Sequence, residues 1–222
     1  MAGLLSEERV RAGLAAARTR VDAAAARAGR DGAAVEILLA VKYVDADDIE
    51  TLADAGVTLV GENRAQDLVE KVLRAPGRLR WQFIGALQSR KVRLIVPHVE
   101  LIHSVASDSV LRELERHAPP GFEVLVEVNV AGEPGKAGIA PDELDAFIAR
   151  VPVRVGGLMT MPPATADPRS SRAHFATLAR LARERGLGRL SMGTSQDFEV
   201  AVEEGATIVR LGAVVLGGGP AR

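Results

Sequence analysis

The stretch that decides the fold is VEILLAVKYVDADDIETLADAGVTLVG, residues 35–61. It opens with a near-continuous apolar run at 35–41, continues with an acid-rich helical pattern at 45–56, and returns to a short apolar run at 58–61. This order is typical of a strand–helix–strand unit whose helix ends at Gly56. Because the apolar runs show no polar alternation, we expect parallel strands that are buried on both faces.

The same alternation of strand and helix patterns continues along the rest of the chain. It gives eight apolar strand candidates, at residues 35–41, 58–61, 81–85, 100–105, 123–130, 153–159, 188–192 and 206–212. Eight such units predict an α/β fold, a (β/α)8 barrel of the TIM type, with a doubly wound open sheet as the alternative. No linker or low-complexity tract divides the chain, so we expect a single domain over residues 1–222.

An amphipathic segment at residues 3–28, rich in alanine and arginine, precedes the first strand. Ser6 followed by Glu7 and Glu8 is typical of a helix N-cap with acids in the first turn. Apolar residues then recur at helical spacing, at Leu14, Ala17, Val21 and Ala25. We interpret the segment as an extra N-terminal helix rather than a transit peptide, and expect it to replace the helix that would follow the eighth strand.

Composition limits the classes of function. The 222 residues carry 28 basic and 29 acidic side chains, a net charge of −1, so no overall field attracts nucleic acid or an anionic membrane. The absence of cysteine and the scatter of the four histidines predict no metal site and no thiol chemistry. No apolar run approaches the ~20 residues that cross a bilayer. We therefore expect a soluble, cytoplasmic protein without a membrane or nucleic-acid partner.

Polar residues follow nearly every predicted strand. In a parallel barrel the carboxyl ends of the strands carry the ligand site. We therefore expect a binding face formed by residues at these ends: Lys42, Glu62, Asn63, Gly85, Gln88, His103, Ser104, Asn129, Met159, Thr160, Ser191 to Ser195, Arg210 and Gly212.

Lysine is rare in this chain, since only four of the 28 basic residues are lysines: Lys42, Lys71, Lys91 and Lys136. Lys42 ends the first apolar strand, where low-dielectric surroundings favour a neutral, nucleophilic amine. The alternative is a lysine at the barrel rim whose ammonium reaches water or pairs with Asp45 or Asp47. We expect Lys71 and Lys91 to lie on the surface.

Two segments predict a phosphate site: SMGTS (191–195) after the seventh strand and LGAVVLGGG (211–219) after the eighth. Gly193 allows close approach of the backbone, hydroxyl groups flank it, and a helix is predicted to begin near Ser195. Loops after strands seven and eight, together with a helix N-terminus, form the recurrent phosphate site of such barrels.

Arg210 lies within the last apolar strand, where alternation puts it on the same face as Ile208 and Gly212. A buried guanidinium needs a partner, either a carboxylate such as Glu62 or Glu127 or an acceptor on a ligand. A lysine, a phosphate cup and an inward arginine together predict an aldehyde-bearing phosphate ligand, pyridoxal 5′-phosphate (PLP). A sugar phosphate, with Lys42 acting only as a charge, is the simpler alternative.

Seven stretches also carry a resemblance to a known family: LLAVKYV around Lys42, GENRAQDLVEK (61–71), WQFIGALQSRKV (81–92), HSV (103–105), EVNVAGEPGKAGI (127–139), GLMTMPP (157–163) and LSMGTSQDFEVAVEEGATIVRLGAVVLG (190–217). In this order they resemble the pyridoxal phosphate homeostasis protein family, single-domain PLP-binding barrels similar to the N-terminal domain of alanine racemase.

The resemblance implies roles for particular residues. Lys42 is expected to be the Schiff-base lysine, Asn63 to lie beside the cofactor ring, and Arg210 to face the pyridine nitrogen, while the loops after strands seven and eight hold the phosphate. The predicted cofactor-binding set is Lys42, Asn63, Ile84, Ser191, Met192, Gly193, Thr194, Ser195, Arg210 and Gly212.

The resemblance further implies a carrier rather than an enzyme. The carrier would hold PLP as a lysine aldimine and serve intracellular PLP (vitamin B6) and amino-acid homeostasis. It would supply PLP to PLP-dependent apoenzymes. We expect a monomer with no catalytic residue. The alternative is an active PLP-dependent amino-acid racemase, which needs a second acid–base group opposite Lys42. Tyr43 is the only tyrosine, and strand alternation would turn it away from the barrel mouth.

Overall fold

The computed structural model describes residues 5–217 and shows a closed barrel of parallel strands with helices on its outside. Its strands are β1 (Glu36–Ala40), β2 (Leu59–Glu62), β3 (Arg80–Phe83), β4 (Leu101–Val105), β5 (Glu123–Glu127), β6 (Arg154–Met159), β7 (Arg189–Thr194) and β8 (Ile208–Leu211). Neighbours in sequence pair in parallel, and β8 pairs with β1. The predicted TIM-type barrel is confirmed, and the open sheet is rejected.

Within the described range the helices are α1 (Glu7–Arg27), α2 (Ile49–Asp54), α3 (Ala65–Arg74), α4 (Val92–Ile95), α5 (Asp108–His117), α6 (Leu144–Ile148), α7 (Arg172–Glu184), α8 (Phe198–Glu203) and α9 (Ala213–Leu216). None of them is long and apolar enough to cross a membrane. Residues 218 and 219 of the glycine-rich segment lie outside the described residues, as do the first four and last three positions of the expected domain.

The extra N-terminal helix α1 packs against α8 and α9, where it covers the seam at which the barrel closes. The Ser6 side chain accepts a hydrogen bond from the Arg9 backbone N–H, as expected for an N-cap. At Gly13 the helix comes so close to α9 that a Cβ atom would lie 2.1 Å from the Val215 carbonyl oxygen. These contacts place α1 beside the short helix α9 that follows β8.

Side-chain alternation divides the apolar residues into an inner and an outer core. The inner cluster fills the barrel, with Ile84 packed against it, and consists of Leu38, Leu59, Leu101, Leu125, Met159 and Ile208. Their neighbours along the strands, such as Leu39 and Val209, pack outward against the helices. Other inward-facing positions carry polar side chains, since Gln82, His103 and Ser191 are also fully buried.

Ion pairs lie at the amino ends of the strands. Arg80 pairs with Glu100 at 2.7 Å and with Glu36 at 3.0 Å, and Arg189 pairs with Glu123 at 2.7 Å. The charges at this end are therefore paired with each other, and the opposite end carries the loops on which ligands bind in barrels of this type.

Candidate functional site

Lys42 lies in a turn just beyond β1 and is exposed. Its Nζ atom is 4.6 Å from the centroid of the Tyr43 ring, a cation–π contact. The expected low-dielectric surroundings are therefore absent, and the alternation argument for Tyr43 is wrong because neither residue belongs to the strand. Among the described residues Lys42 makes no ion pair, and Asp47 instead pairs with Arg74 at 3.0 Å. The amine is open to a ligand that enters the mouth.

Asn63 follows β2, and its Oδ1 atom is buried without a hydrogen-bond partner within the described part of the chain. Gly85, just after β3, allows this arrangement, because a Cβ atom there would lie 2.1 Å from the Asn63 carbonyl oxygen. Ile84 faces inward at the same level. A buried amide oxygen is costly unless it is paired, so this atom fits a group that receives a hydrogen bond from a ligand.

The loop after β7 differs from its expected form. Thr194 donates from its backbone N–H and its hydroxyl to Asp197 Oδ1, at 2.8 and 3.1 Å, and α8 begins at Phe198 rather than near Ser195. Gly193 has φ +91°, and a Cβ atom there would lie 2.6 Å from Ala201 Cβ. Packing against α8 therefore requires this glycine. The Met192 side chain lies in the outer core, so any ligand contact from Met192 would come from its backbone.

Backbone amides of the loop after β8 converge on the loop after β7. Gly212 and Val214 donate their N–H groups to Ser195 Oγ, at 3.2 and 3.4 Å. Gly212 also lies against β1, because a Cβ atom there would be 3.4 Å from the Ala40 carbonyl oxygen. These long bonds to a neutral hydroxyl are weaker than bonds to an anionic oxygen, so the cluster fits a phosphate beside the strand that leads to Lys42.

Arg210 is buried inside the barrel with 6% of its surface exposed. Its guanidinium donates to Ser191 Oγ at 2.6 Å and to the Thr160 carbonyl oxygen at 3.0 Å. Burial lowers the pKa of Arg210 to about 10, although the charges of Asp197 and Glu127 act in the opposite direction. The group is therefore still a cation at neutral pH. Within the described residues no carboxylate pairs with it, and a ligand acceptor remains the open possibility.

Glu62 and Lys71 form a buried ion pair between β2 and α3, which corrects two expectations. Lys71 is 4% exposed rather than on the surface, and its Nζ donates to Glu62 Oε2 at 2.5 Å and to the Val41 carbonyl oxygen at 2.8 Å. Glu62 Oε1 accepts from the backbone N–H groups of Asn63 and Arg64, at 2.6 and 3.0 Å. Glu62 therefore pairs with Lys71 instead of Arg210, and the pair ties together the turns that carry Lys42 and Asn63.

Several residues of the expected binding face have local structural contacts instead. The Asn129 side chain bonds with the backbone of Glu133, which in turn pairs with Lys136. Thr160 Oγ1 donates to the Val128 carbonyl oxygen, and Ser104 Oγ to that of Gly85. These bonds shape the loops around the mouth.

Two polar partners, the buried Gln82 and the exposed Glu100, were missed by the sequence reasoning. Gln82 donates from Nε2 to Glu100 Oε1 at 2.8 Å and accepts a bond from His103. A polar amide between Trp81 and Phe83 was the available signal, since alternation puts it on the face opposite the two aromatic rings. Within the described residues no cluster of acidic and histidine side chains could hold a metal ion.

Fold and site together define a parallel (β/α)8 barrel whose mouth presents an accessible amine, converging amides and a buried guanidinium. A pyridoxal phosphate homeostasis protein from Aquifex aeolicus is 38% identical over 212 residues, covering 89% of this chain and 93% of the relative. The solved structure of PipY from Synechococcus elongatus with PLP bound is 30% identical with a TM-score of 0.77, covering 94% and 100% of the two chains.

A solved structure from Bifidobacterium adolescentis has a TM-score of 0.85 at 29% identity and covers 94% of this chain and 95% of its own. No family model matches the chain. The identity and coverage of the Aquifex aeolicus relative nevertheless decide the assignment: the chain belongs to the pyridoxal phosphate homeostasis protein family.

The buried pair gives a testable prediction about stability. We expect Lys71→Met to lower the free energy of unfolding by about 3–5 kcal/mol, because it leaves the Glu62 carboxylate buried without its cation. The double variant Glu62→Gln/Lys71→Met should recover much of this loss, since no buried charge remains. Urea denaturation measures both.

Arg78→Met is the matched control, because it removes a half-exposed ion pair with Asp54. We expect it to change stability far less. A Lys71→Met variant no less stable than this control would show that the buried pair does not hold the two turns.

Proposed function

We propose that this chain binds PLP at the carboxyl end of the barrel and serves as a PLP carrier in PLP and amino-acid homeostasis. The observation that carries the proposal is the adjacency of Lys42 to the cluster of Ser195, Gly212 and Val214. The amine and the amides follow β1 and β8, which are paired neighbours in the barrel. A relative of known structure, PipY, contains PLP.

Different residues are proposed to bind the aldehyde, the phosphate and the ring of PLP. When bound, PLP supplies an aldehyde that condenses reversibly with a primary amine, and Lys42 is the accessible amine at the mouth. Gly212, Val214 and Ser195 would bind the phosphate through N–H and hydroxyl groups. Arg210 would donate to the ring nitrogen, and Asn63 and Ile84 would lie beside the ring. Ser191 bonds to Arg210, and the remaining residues of the predicted set (Met192, Gly193 and Thr194) shape the β7 loop.

The physiological part of the proposal follows the names of the relatives. PLP-dependent apoenzymes are proposed as recipients, and a monomer is the proposed state. The cytoplasmic location stays a prediction from composition.

Covalent trapping tests the role of Lys42. We expect borohydride reduction in the presence of PLP to leave a phosphopyridoxyl group on Lys42 and, in stoichiometric amount, on no other lysine, because the described contacts hold Lys71 in a buried ion pair and Lys136 in a pair with Glu133. Peptide mass mapping locates the group, and Lys42→Arg is the control that keeps the charge. Stoichiometric labelling at Lys136 or Lys91 would contradict the assignment.

Comparison of PLP with pyridoxal, which lacks the phosphate, tests the amide cluster. We expect Ser195→Ala to weaken PLP about tenfold or more and to leave pyridoxal unchanged, because one charge-assisted hydrogen bond is worth about 1.5–3 kcal/mol. Spectroscopic titration gives both affinities. Ser109→Ala, which removes a half-buried hydroxyl of α5, is the control. An equal loss for both ligands would show that the cluster does not bind phosphate.

Racemisation is the second candidate, and one observation favours it. Glu127 is the last residue of β5, which lies opposite β1 in the order of the eight strands. It pairs with Met159, an inward-facing residue of β6, so Glu127 also faces the barrel interior. Burial raises the pKa of Glu127, against the smaller opposing effects of Arg210 and Lys136. A carboxyl with a raised pKa can act as a general acid or base near neutral pH.

We nevertheless expect no α-proton exchange when the protein and PLP are incubated with L-alanine in deuterated water. The positive charge of Arg210 disfavours protonation of the ring nitrogen, so the ring accepts little electron density. Proton NMR of alanine measures the exchange. If exchange occurs at enzyme-like turnover and both Lys42→Ala and Glu127→Gln abolish it, the racemase function replaces the proposed carrier function.

A further inference from the structure

A single chain of hydrogen bonds runs through the barrel interior from Arg210 to Glu100. Arg210 donates to Ser191 Oγ at 2.6 Å, and Ser191 Oγ lies 2.8 Å from His103 Nδ1. His103 Nε2 lies 2.7 Å from Gln82 Oε1, and Gln82 Nε2 donates to Glu100 Oε1 at 2.8 Å. Gln82, His103 and Ser191 are fully buried, so each can be satisfied only by its neighbours.

The charged ends of the chain fix the direction of every bond in it. Glu100 is an ionised carboxylate that only accepts. Partial desolvation raises its pKa, but the bonds from Arg80 and Gln82 and the charges of Arg80 and Arg189 lower the pKa overall. The Gln82 amide therefore turns its nitrogen toward Glu100 and its oxygen toward His103, so His103 Nε2 carries the proton. His103 Nδ1 must then accept the Ser191 hydroxyl proton, and Ser191 Oγ accepts from Arg210.

A protonated His103 would break this order. Its Nδ1–H would point at Ser191 Oγ, which already accepts from the Arg210 cation, and the Ser191 hydroxyl proton would lose its acceptor. The charges that face the ring, Arg210 on β8 and Arg189 on β7, also oppose protonation. Burial and these two cations lower the pKa of His103 well below its ordinary value, in agreement with a neutral ring.

We propose that His103 is a positioning residue, held neutral with its proton on Nε2, that keeps Arg210 oriented as a donor to the ring nitrogen of the ligand. The proposal rests on the proposed function, because it needs PLP at the mouth. The hydrogen-bond chain gives Arg210 a fixed neutral acceptor in Ser191, and the Thr160 carbonyl oxygen accepts from the other terminal nitrogen of the guanidinium. The guanidinium therefore keeps one orientation, and its remaining N–H groups can donate to an acceptor on the ligand.

This arrangement makes the ligand's ring nitrogen a point of specificity. An unprotonated pyridine nitrogen accepts from Arg210, whereas a C–H group at the same position leaves the buried guanidinium facing a nonpolar group. His103 should therefore influence the preference for PLP over its carbocyclic analogue, in which C–H replaces the ring nitrogen, and should not influence recognition of the phosphate.

Nitrogen NMR of the ligand-free protein tests the tautomer directly. We expect a pyrrole-type Nε2 and a pyridine-type Nδ1 for His103, unchanged as the pH falls through about 6.5, the ordinary histidine pKa. His117, exposed at the end of α5, provides the reference histidine signal. A proton on Nδ1, or a charged ring at neutral pH, would overturn the proposal irrespective of whether the protein binds PLP.

Binding of PLP and of its carbocyclic analogue tests the role of the hydrogen-bond chain. We expect wild-type protein to prefer PLP over the carbocyclic analogue, and His103→Leu to reduce this preference about tenfold, the effect of one charge-assisted hydrogen bond. Ser171→Ala is the control, because it removes a buried polar side chain that lies outside the hydrogen-bond chain. We expect this control to leave the preference unchanged.

The possible failures are distinguishable. If wild-type protein binds neither ligand, the proposed function fails. If it binds PLP but His103→Leu leaves the preference at its wild-type value, only the positioning role fails. Gln82→Leu removes the acceptor of His103 Nε2–H and should reduce the preference in the same way, and the NMR result decides the matter if neither variant folds.

Discussion

A buried charge must be given partners, and this requirement organises the barrel mouth more than any other interaction. The Glu62–Lys71 pair lies between β2 and α3. Its further hydrogen bonds are with backbone groups at Asn63 and next to Lys42. Taking a carboxylate and an ammonium out of water costs several kcal/mol per ion, which the mutual attraction offsets only with good geometry and further hydrogen bonds. The backbone around both turns supplies these bonds, so the energetics of the pair and the shape of the mouth depend on each other.

The sequence predicted the barrel well because its evidence is local. Apolar runs such as 35–41 need only their own residues to be recognised, and right-handed parallel connections leave few ways to arrange eight of them. The inward turn of Arg210 was predictable for the same reason, since the period of a strand is two. The partners of Arg210 were not predictable, because Ser191 lies on β7 and Thr160 directly follows β6. Alternation along one strand gives no information about which residues of other strands lie at the same height.

The two errors at the site have different physical origins, the end of a strand in one case and the register of a helix on a strand in the other. Lys42 was assigned from its position at the end of an apolar run and Tyr43 by continuing the alternation of β1. The strand ends at Ala40, and a turn puts the amine over the ring of its neighbour. Lys71 was assigned to the surface because lysine is usually exposed. Its helix α3 turns that position toward β2, and only the three-dimensional register of helix on strand shows that Glu62 is there to meet it.

The two cationic groups of the mouth are suited to different tasks by their surroundings. Arg210 is held by neutral dipoles in the interior, so its charge is fixed and a ligand meets it without reorganisation. Lys42 is exposed, and within the described residues its contact with the Tyr43 ring is a cation–π interaction of modest strength. In the proposed function, Arg210 orients the ring and Lys42 binds the aldehyde reversibly. This division favours release of the ligand, because the described contacts constrain the exposed amine less than the buried guanidinium.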